Sequence, residues 1–202
     1  MDLDTAEPAA DLLWKLLSTE TEPELCLRHG IVLSPRLQDA ERAANALRAP
    51  AEASAWRLDT SKRGSLESLC MVQSPEAVAG LSAGEVRVQV RAAGMNFRDV
   101  LNALDMVPAP WLGLELSGVV LEVGEGVDTV LVGERVMGLG RATFATVAIA
   151  DARQLTPIPA ILSFEEAATV PVVFLTALYG LQQLADLKAG ERVLVHAAAG
   201  GV

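Results

Sequence analysis

The chain has 202 residues, of which 51% are hydrophobic and 21% charged, a balance that suits one or two modest globular domains and excludes intrinsic disorder. Its 26 acidic residues against 16 basic ones give a formal charge of −10, which argues against nucleic acid or an anionic membrane as the main partner. Two cysteines, Cys26 and Cys70, fit free thiols in a reducing compartment better than a disulfide framework, though a Cys26–Cys70 bridge is compatible with the count.

The first residues, Met1-Asp2-Leu3-Asp4, are acidic and lack the basic region of a signal peptide. Leu12, Leu13, Leu16 and Leu17 at helical spacing, with Trp14 on the flank, predict a short amphipathic helix over 8–18. Leu25 to Arg28 and Ile31 to Leu37, joined by His29-Gly30, predict a hairpin. Residues 38–47 read as a polar helix or a loop, and Arg48 to Ser54 as a linker. One helix and one hairpin bury too little to be stable alone, so residues 1–50 are expected to be the end of a neighbouring domain.

A second unit opens near Trp56. Leu66 to Val72 and Glu85 to Arg91 are strand-like, and in the latter Val86, Val88 and Val90 alternate with polar residues; Ser82 to Glu85 marks the turn between them. Leu114 to Val123, Val130 to Met137 (containing a turn at Val132 to Arg135) and Arg141 to Ile149 are further strand regions. Many short strands between glycine-rich turns predict a β-barrel or sandwich. Ser163 is a predicted N-cap, with Glu165 and Glu166 in the first turn of its helix. Pro171 kinks or restarts that helix, and Thr176 to Leu184 continues it. The longest apolar stretch, Ala167 to Leu181, is interrupted by Pro171 and Gly180 and is too short to span a bilayer, so a cytoplasmic protein is expected.

Near residue 160 the pattern changes from all-β to helix, strand and glycine loop. The expected organisation is a linker over 51–60, a β domain over 61–160 and the start of a nucleotide-binding domain over 161–202. Val193 to Val195 is expected as the first buried strand of a dinucleotide-binding unit, and His196-Ala197-Ala198-Ala199-Gly200-Gly201-Val202 as its phosphate loop. Glycines there let the backbone approach a pyrophosphate, and a following helix N-terminus supplies aligned N–H donors. The chain stops before any such helix, so the site is expected to be incomplete.

Three stretches carry more. Residues 93–107 include Asn96-Phe97-Arg98-Asp99, residues 113–126 begin Gly113-Leu114-Glu115, and residues 170–202 run from Val170-Pro171 through Thr176 to the glycine loop. In this order they resemble the medium-chain dehydrogenase/reductase superfamily, and more narrowly the enoyl reductase domain of modular polyketide synthases. Residues 22–37 are similar to the closing hairpin of the ketoreductase structural subdomain that precedes it. The resemblance implies a mainly β fold with some helix: a GroES-like β-barrel substrate domain followed by the first helix and strand of a Rossmann domain. It further implies hydride transfer from NADPH to an α,β-unsaturated thioester on an acyl carrier protein, with adjacent polyketide synthase domains as partners. The family's catalytic lysine and aspartate would lie beyond Val202, so this chain alone is expected to show no reductase activity. A free-standing quinone oxidoreductase-like NADPH enzyme and a non-catalytic structural piece are the alternatives.

Zinc-dependent relatives carry His-Glu where this chain has Leu114-Glu115. Leucine cannot ligate, and the chain has only two histidines, His29 and His196, and two cysteines, of which only Cys26 and His29 are near one another in sequence. About three or four converging ligands are needed, so no metal is expected, and Glu115 is read as a partly buried carboxylate holding a strand or loop. The resemblance places Asn96, Phe97 and Val107 in the substrate cleft, with Asn96 also beside the nicotinamide. The alternative is a capped helix start with an Arg98–Asp99 surface pair. Val107 stands where relatives often carry a tyrosine proposed to protonate the α-carbon. Valine has no proton to give, and because the family's tyrosine goes with one configuration at a methyl branch, the resemblance implies the opposite, R, configuration here, unless Val107 only packs. Thr176 matches a position near the nicotinamide carboxamide, or else bonds its own helix backbone. Ala198, Ala199, Gly200, Gly201 and Val202 are expected to contact the cofactor, Tyr179 to pack in the core, and His196 to position the loop.

Overall fold

A computed structural model of the chain describes residues 2–3, 26–28, 31–33, 47–50, 53–197 and 200. The chain divides into two compact units, Met1–Ala46 and Leu47–Val202. In the first, β1 (Asp2–Leu3) runs parallel to β2 (Cys26–Arg28), which pairs antiparallel with β3 (Ile31–Leu33). Cys26 faces Leu33 and Arg28 faces Ile31, so the predicted hairpin is present, extended by a strand that the sequence pattern did not reveal. The helix predicted over 8–18 lies outside the described residues, as do 38–46 and two linker residues.

The second unit runs β4 (Trp56–Thr60), β5 (Leu69–Gln73), β6 (Glu85–Gly94), α1 (Phe97–Ala103), β7 (Glu115–Val123) and β8 (Arg135–Leu139). It continues with β9 (Val147–Asp151), β10 (Leu155–Pro157), α2 (Phe164–Ala168) and α3 (Pro171–Leu178), then a π-helical stretch over Tyr179–Leu184. Five strands form one antiparallel sheet in the order β10-β8-β7-β6-β9. The β4–β5 ribbon joins the segment before β9, where the Leu58 N–H donates to the Phe144 carbonyl at 2.7 Å and the Thr146 N–H to the Trp56 carbonyl at 3.0 Å. The predicted barrel thus takes the form of a five-stranded sheet with a ribbon attached.

The alternation in β6 decides which face is core. Val86 and Val88 are completely buried and pack with Leu116, Val120, Val136, Ala148 and Leu155. Removing each of these valine and leucine side chains from water contributes roughly 1.5–3 kcal/mol. Arg87, on the opposite face, is also largely buried, and its guanidinium donates to the carbonyls of Ala77 and Ala79 and to the Glu122 carboxylate, 2.9 Å from Nε. Irregular register at Arg87/Val88 and Val90/Ala92 marks where β6 bends.

Several boundaries differ from expectation. Leu66–Ser68 is a 3₁₀ turn, started by Ser65 accepting the Glu67 N–H at 3.2 Å, so β5 begins only at Leu69. The region 141–149 is mostly irregular and becomes a strand at Val147, where β6 supplies a ladder. Leu155–Pro157 forms a short edge strand that three residues ending in proline did not announce.

Helix α2 starts as predicted: Ser163 Oγ accepts the Glu166 N–H at 3.1 Å and Glu166 accepts the Ser163 N–H at 2.8 Å, a capping box. Pro171 occupies the first position of α3, where its missing N–H is no loss, so it restarts the helix. Val193 to Val195 departs from expectation, being irregular and exposed, with Leu194 79% accessible. A buried parallel strand requires neighbours, and among the described residues none pairs with it. Tyr179 is likewise exposed rather than core, and His196 sits exposed in a turn.

Candidate functional site

The site is built where β6 ends. Gly94 lies opposite Glu115 at the start of β7, and two residues later Asn96 caps α1. Asp99, in the first turn of α1, accepts the Asn96 N–H at 2.9 Å and the Gly113 N–H at 3.0 Å. These bonds hold Asp99 8% exposed, so the helix cap is present but the surface Arg98–Asp99 pair is not. Gly113 adopts φ +85°, and a Cβ there would stand 2.6 Å from the Phe144 nitrogen, so the chain can turn at this point only without a side chain.

Glu115 is 2% exposed, more deeply buried than expected. Its Oε1 accepts from Asn96 Nδ2 and its Oε2 from the Val172 N–H, each at 2.8 Å. One carboxylate therefore ties the β6–α1 junction to the first turn of α3. Ser117, two residues along the same face of β7, donates to the Phe164 carbonyl, and Arg135 of β8 donates to the Leu162 carbonyl at 2.7 Å. The Arg135 guanidinium also lies 4.6 Å from the centroid of the Phe164 ring, a cation–π distance. Sheet and helices meet through placed polar groups as well as apolar contact.

A second polar group fixes the segment after α1. Asn102, fully buried, donates from Nδ2 to the Trp111 carbonyl at 2.6 Å. Arg63 donates to the Asn102 side-chain oxygen, to the Asn102 carbonyl at 3.1 Å and to the Ala109 carbonyl at 2.9 Å. The stretch that carries Val107 is thereby held at both ends, and Val107 itself is half-buried.

The expected site residues divide into three groups. Asn96 is half-buried at the junction, and Phe97 beside it is 75% exposed. Thr176 is exposed on α3, and its hydroxyl donates to the Val172 carbonyl at 2.7 Å, the backbone bond that was its alternative reading. Ala198, Ala199, Gly201 and Val202 lie outside the described residues, while Gly200 donates its N–H to the Ala197 carbonyl at 2.8 Å. Among the described residues no three His, Cys, Asp or Glu side chains converge as metal ligands. Cys70 is a half-buried free thiol. Arg63, Asn102, Ser117 and Gly94 were not singled out from sequence. Asn102 carried a signal, since Asp99, Asn102 and Ala103 lie at i, i+3 and i+4 and form the buried stripe of α1.

Residues 82–160 match the family model of the alcohol dehydrogenase GroES-like domain. Over its whole length the chain is 49% identical to part of the phenolphthiocerol synthesis polyketide synthase type I Pks15/1 of Mycobacterium marinum, and spans 9% of that synthase. The CurK enoyl reductase structure aligns with a TM-score of 0.66 at 37% identity, over 73% of this chain and 48% of that one. The mycobacterial Rv1454c structure complexed with NADPH aligns with a TM-score of 0.65 at 30% identity, over 73% of this chain and 46% of that one. Residues 82–160 are thus similar to the alcohol dehydrogenase GroES-like domain, and the chain as a whole is similar to part of a modular polyketide synthase and to solved enoyl reductases.

Proposed function

We propose that this chain forms the substrate-side part of a polyketide synthase enoyl reductase that saturates the α,β-double bond of a thioester carried on an acyl carrier protein. The observation that carries the reading is the Asn96–Glu115–Val172 linkage, which brings two groups expected at a nicotinamide into one framework in a fold similar to known enoyl reductases. Residues 61–160 would be the substrate domain and 161–202 the start of the NADPH-binding domain. Residues 1–50 would close a preceding ketoreductase structural subdomain, with further synthase domains as neighbours.

The residues present fit a nicotinamide. Thr176 commits its one proton to the Val172 carbonyl, so its outward lone pairs can only accept, which suits the N–H donors of a ring carboxamide. Asn96 would border the same ring, and Gly200 within 198–202 would lie against the pyrophosphate. NADPH, when bound, supplies the hydride that adds to the β-carbon. The chain's own part is to bind and orient. Exposed Met95 and Phe97 offer apolar surface to an acyl chain on either side of the Asn96 amide. Glu115 has both oxygens engaged by protein donors, and Val107 has no ionisable group, so the proton for the α-carbon comes from neither. By the resemblance at position 107, a methyl-branched substrate would give the R product.

The test is a comparison of substrates on the full-length protein with NADPH, a carrier-bound enoyl thioester against a small quinone. Preferential saturation of the thioester is expected. Reduction of the quinone alone would favour a quinone oxidoreductase and overturn the proposal.

A further inference from the structure

We infer that Glu115 is a positioning residue, which fixes Asn96 and the first turn of α3 relative to one another and so sets the nicotinamide edge of the cleft; this rests on the reading of Asn96 and Thr176 given above. Helix α3 has no capping side chain of its own, because its cap position is Val170 and its first residue is Pro171. The Val172 N–H is one of the orphan donors of a helix start, and the Glu115 carboxylate, brought from β7, satisfies it at 2.8 Å. A carboxylate there is also favoured by the helix dipole.

The carboxylate has little freedom. Gly94 stands directly opposite on β6, and a Cβ at that position would lie 2.6 Å from the Glu115 carboxyl carbon and 2.7 Å from the Ala168 carbonyl. Glu115 is thus seated against backbone on one side and bonded to a donor at each oxygen. Burial of a carboxylate without a cation is costly, and among the described residues Glu115 has no ion-pair partner. Only a group with two acceptor oxygens can serve both donors, since a glutamine amide would turn a donor toward one of them. Thr176 lies one turn beyond Val172 and is bonded to its carbonyl. A continuous line of bonds therefore runs from Asn96 through Glu115 and Val172 to Thr176.

Glu115→Gln tests this in the full-length protein with NADPH and a carrier-bound enoyl thioester. The kcat is expected to fall about a hundredfold, the scale of a small misplacement of reacting groups, while the KM for NADPH changes little and Glu115→Asp restores part of the rate. Hydrogen exchange of peptides covering the first turn of α3 should be slow in the wild type and faster in Glu115→Gln. An unchanged kcat in a folded Glu115→Gln overturns the inference. So does fast exchange of that turn in the wild type, a measurement that needs neither the variant to fold nor any turnover. If the wild type reduces no enoyl thioester yet shows the protected turn and its loss in Glu115→Gln, the linkage stands and the enoyl reductase reading fails.

Discussion

The sheet and the tail of the second unit use similar apolar sequences with opposite results. In the sheet, Val86, Leu116 and Val136 are completely buried. In the stretch from α3 to Val195, Phe174 is 62% exposed, Leu184 69% and Leu194 79%. The Val193-Leu194-Val195 run is as good a strand former as Val86-Arg87-Val88, yet only the second has ladders on both sides. Strand propensity is chiefly a preference for a packed, pleated surface, so the same letters mean little where no surface receives them.

The largest effect expected from this contrast is in Leu116→Ala. It should destabilise the protein by about 2–5 kcal/mol in a chemical denaturation experiment, because the core side chains around it can only partly collapse. Leu194→Ala should stay within about 0.5 kcal/mol, the range of ordinary surface changes. Equal costs at the two positions would break the comparison, since they would mean that Leu194 is packed in the folded protein.

Two glycines sharpen the contrast at fixed backbone geometry. Gly113 has φ +85° and Gly190 has φ +91°, so an added side chain is strained at both. At Gly113 the new Cβ also meets Phe144 N and Thr143 Oγ1 at 2.6 Å, whereas at Gly190 it meets open space. Gly190→Ala should cost about 1 kcal/mol, the left-handed penalty alone. Gly113→Ala should cost about 1–3 kcal/mol more, as overpacking of a rigid site does. Matching losses in the two variants would show that Asp99 and Thr143 relax freely around position 113.

Features set by near neighbours were legible in the sequence. The β6 alternation, the Ser163–Glu166 cap and the restart at Pro171 each depend on residues a few positions apart, and each is present. The role of Glu115 was not legible, because its donors lie 19 and 57 residues away in the chain. Sequence placed it on a strand and excluded it from zinc, but the depth of its burial depends on Gly94 and α3 arriving from other elements. Arg63 was invisible for the same reason, its acceptors being 39 and 46 residues distant. The Trp56–Thr60 strand alternates in sequence, yet it pairs with β5 across a gap that ends with a 3₁₀ turn, which obscured the pair.

The smallest effect lies at the rim of the sheet, where Asp151 closes β9 opposite Glu85. Side-chain hydrogen bonds from Arg153, then the Arg153 N–H at 2.9 Å, hold the Asp151 carboxyl at about 2 against an ordinary 3.8. A folded-state value below the unfolded one means stabilisation that is fully present above the unfolded value and lost as pH falls through the folded one. The melting temperature of the wild type should therefore exceed that of Asp151→Asn by a constant small margin above pH 3.8, and the margin should close between 3.8 and about 2. The asparagine keeps an oxygen for the Arg153 N–H, so the difference isolates the charged pair from the turn it caps. Because the pair is exposed, added salt should shrink the margin as well. A margin that persists unchanged to pH 2 would locate the effect of Asp151 in the turn's geometry rather than its charge, and would place the rim with the core, where packing rather than ionisation sets stability.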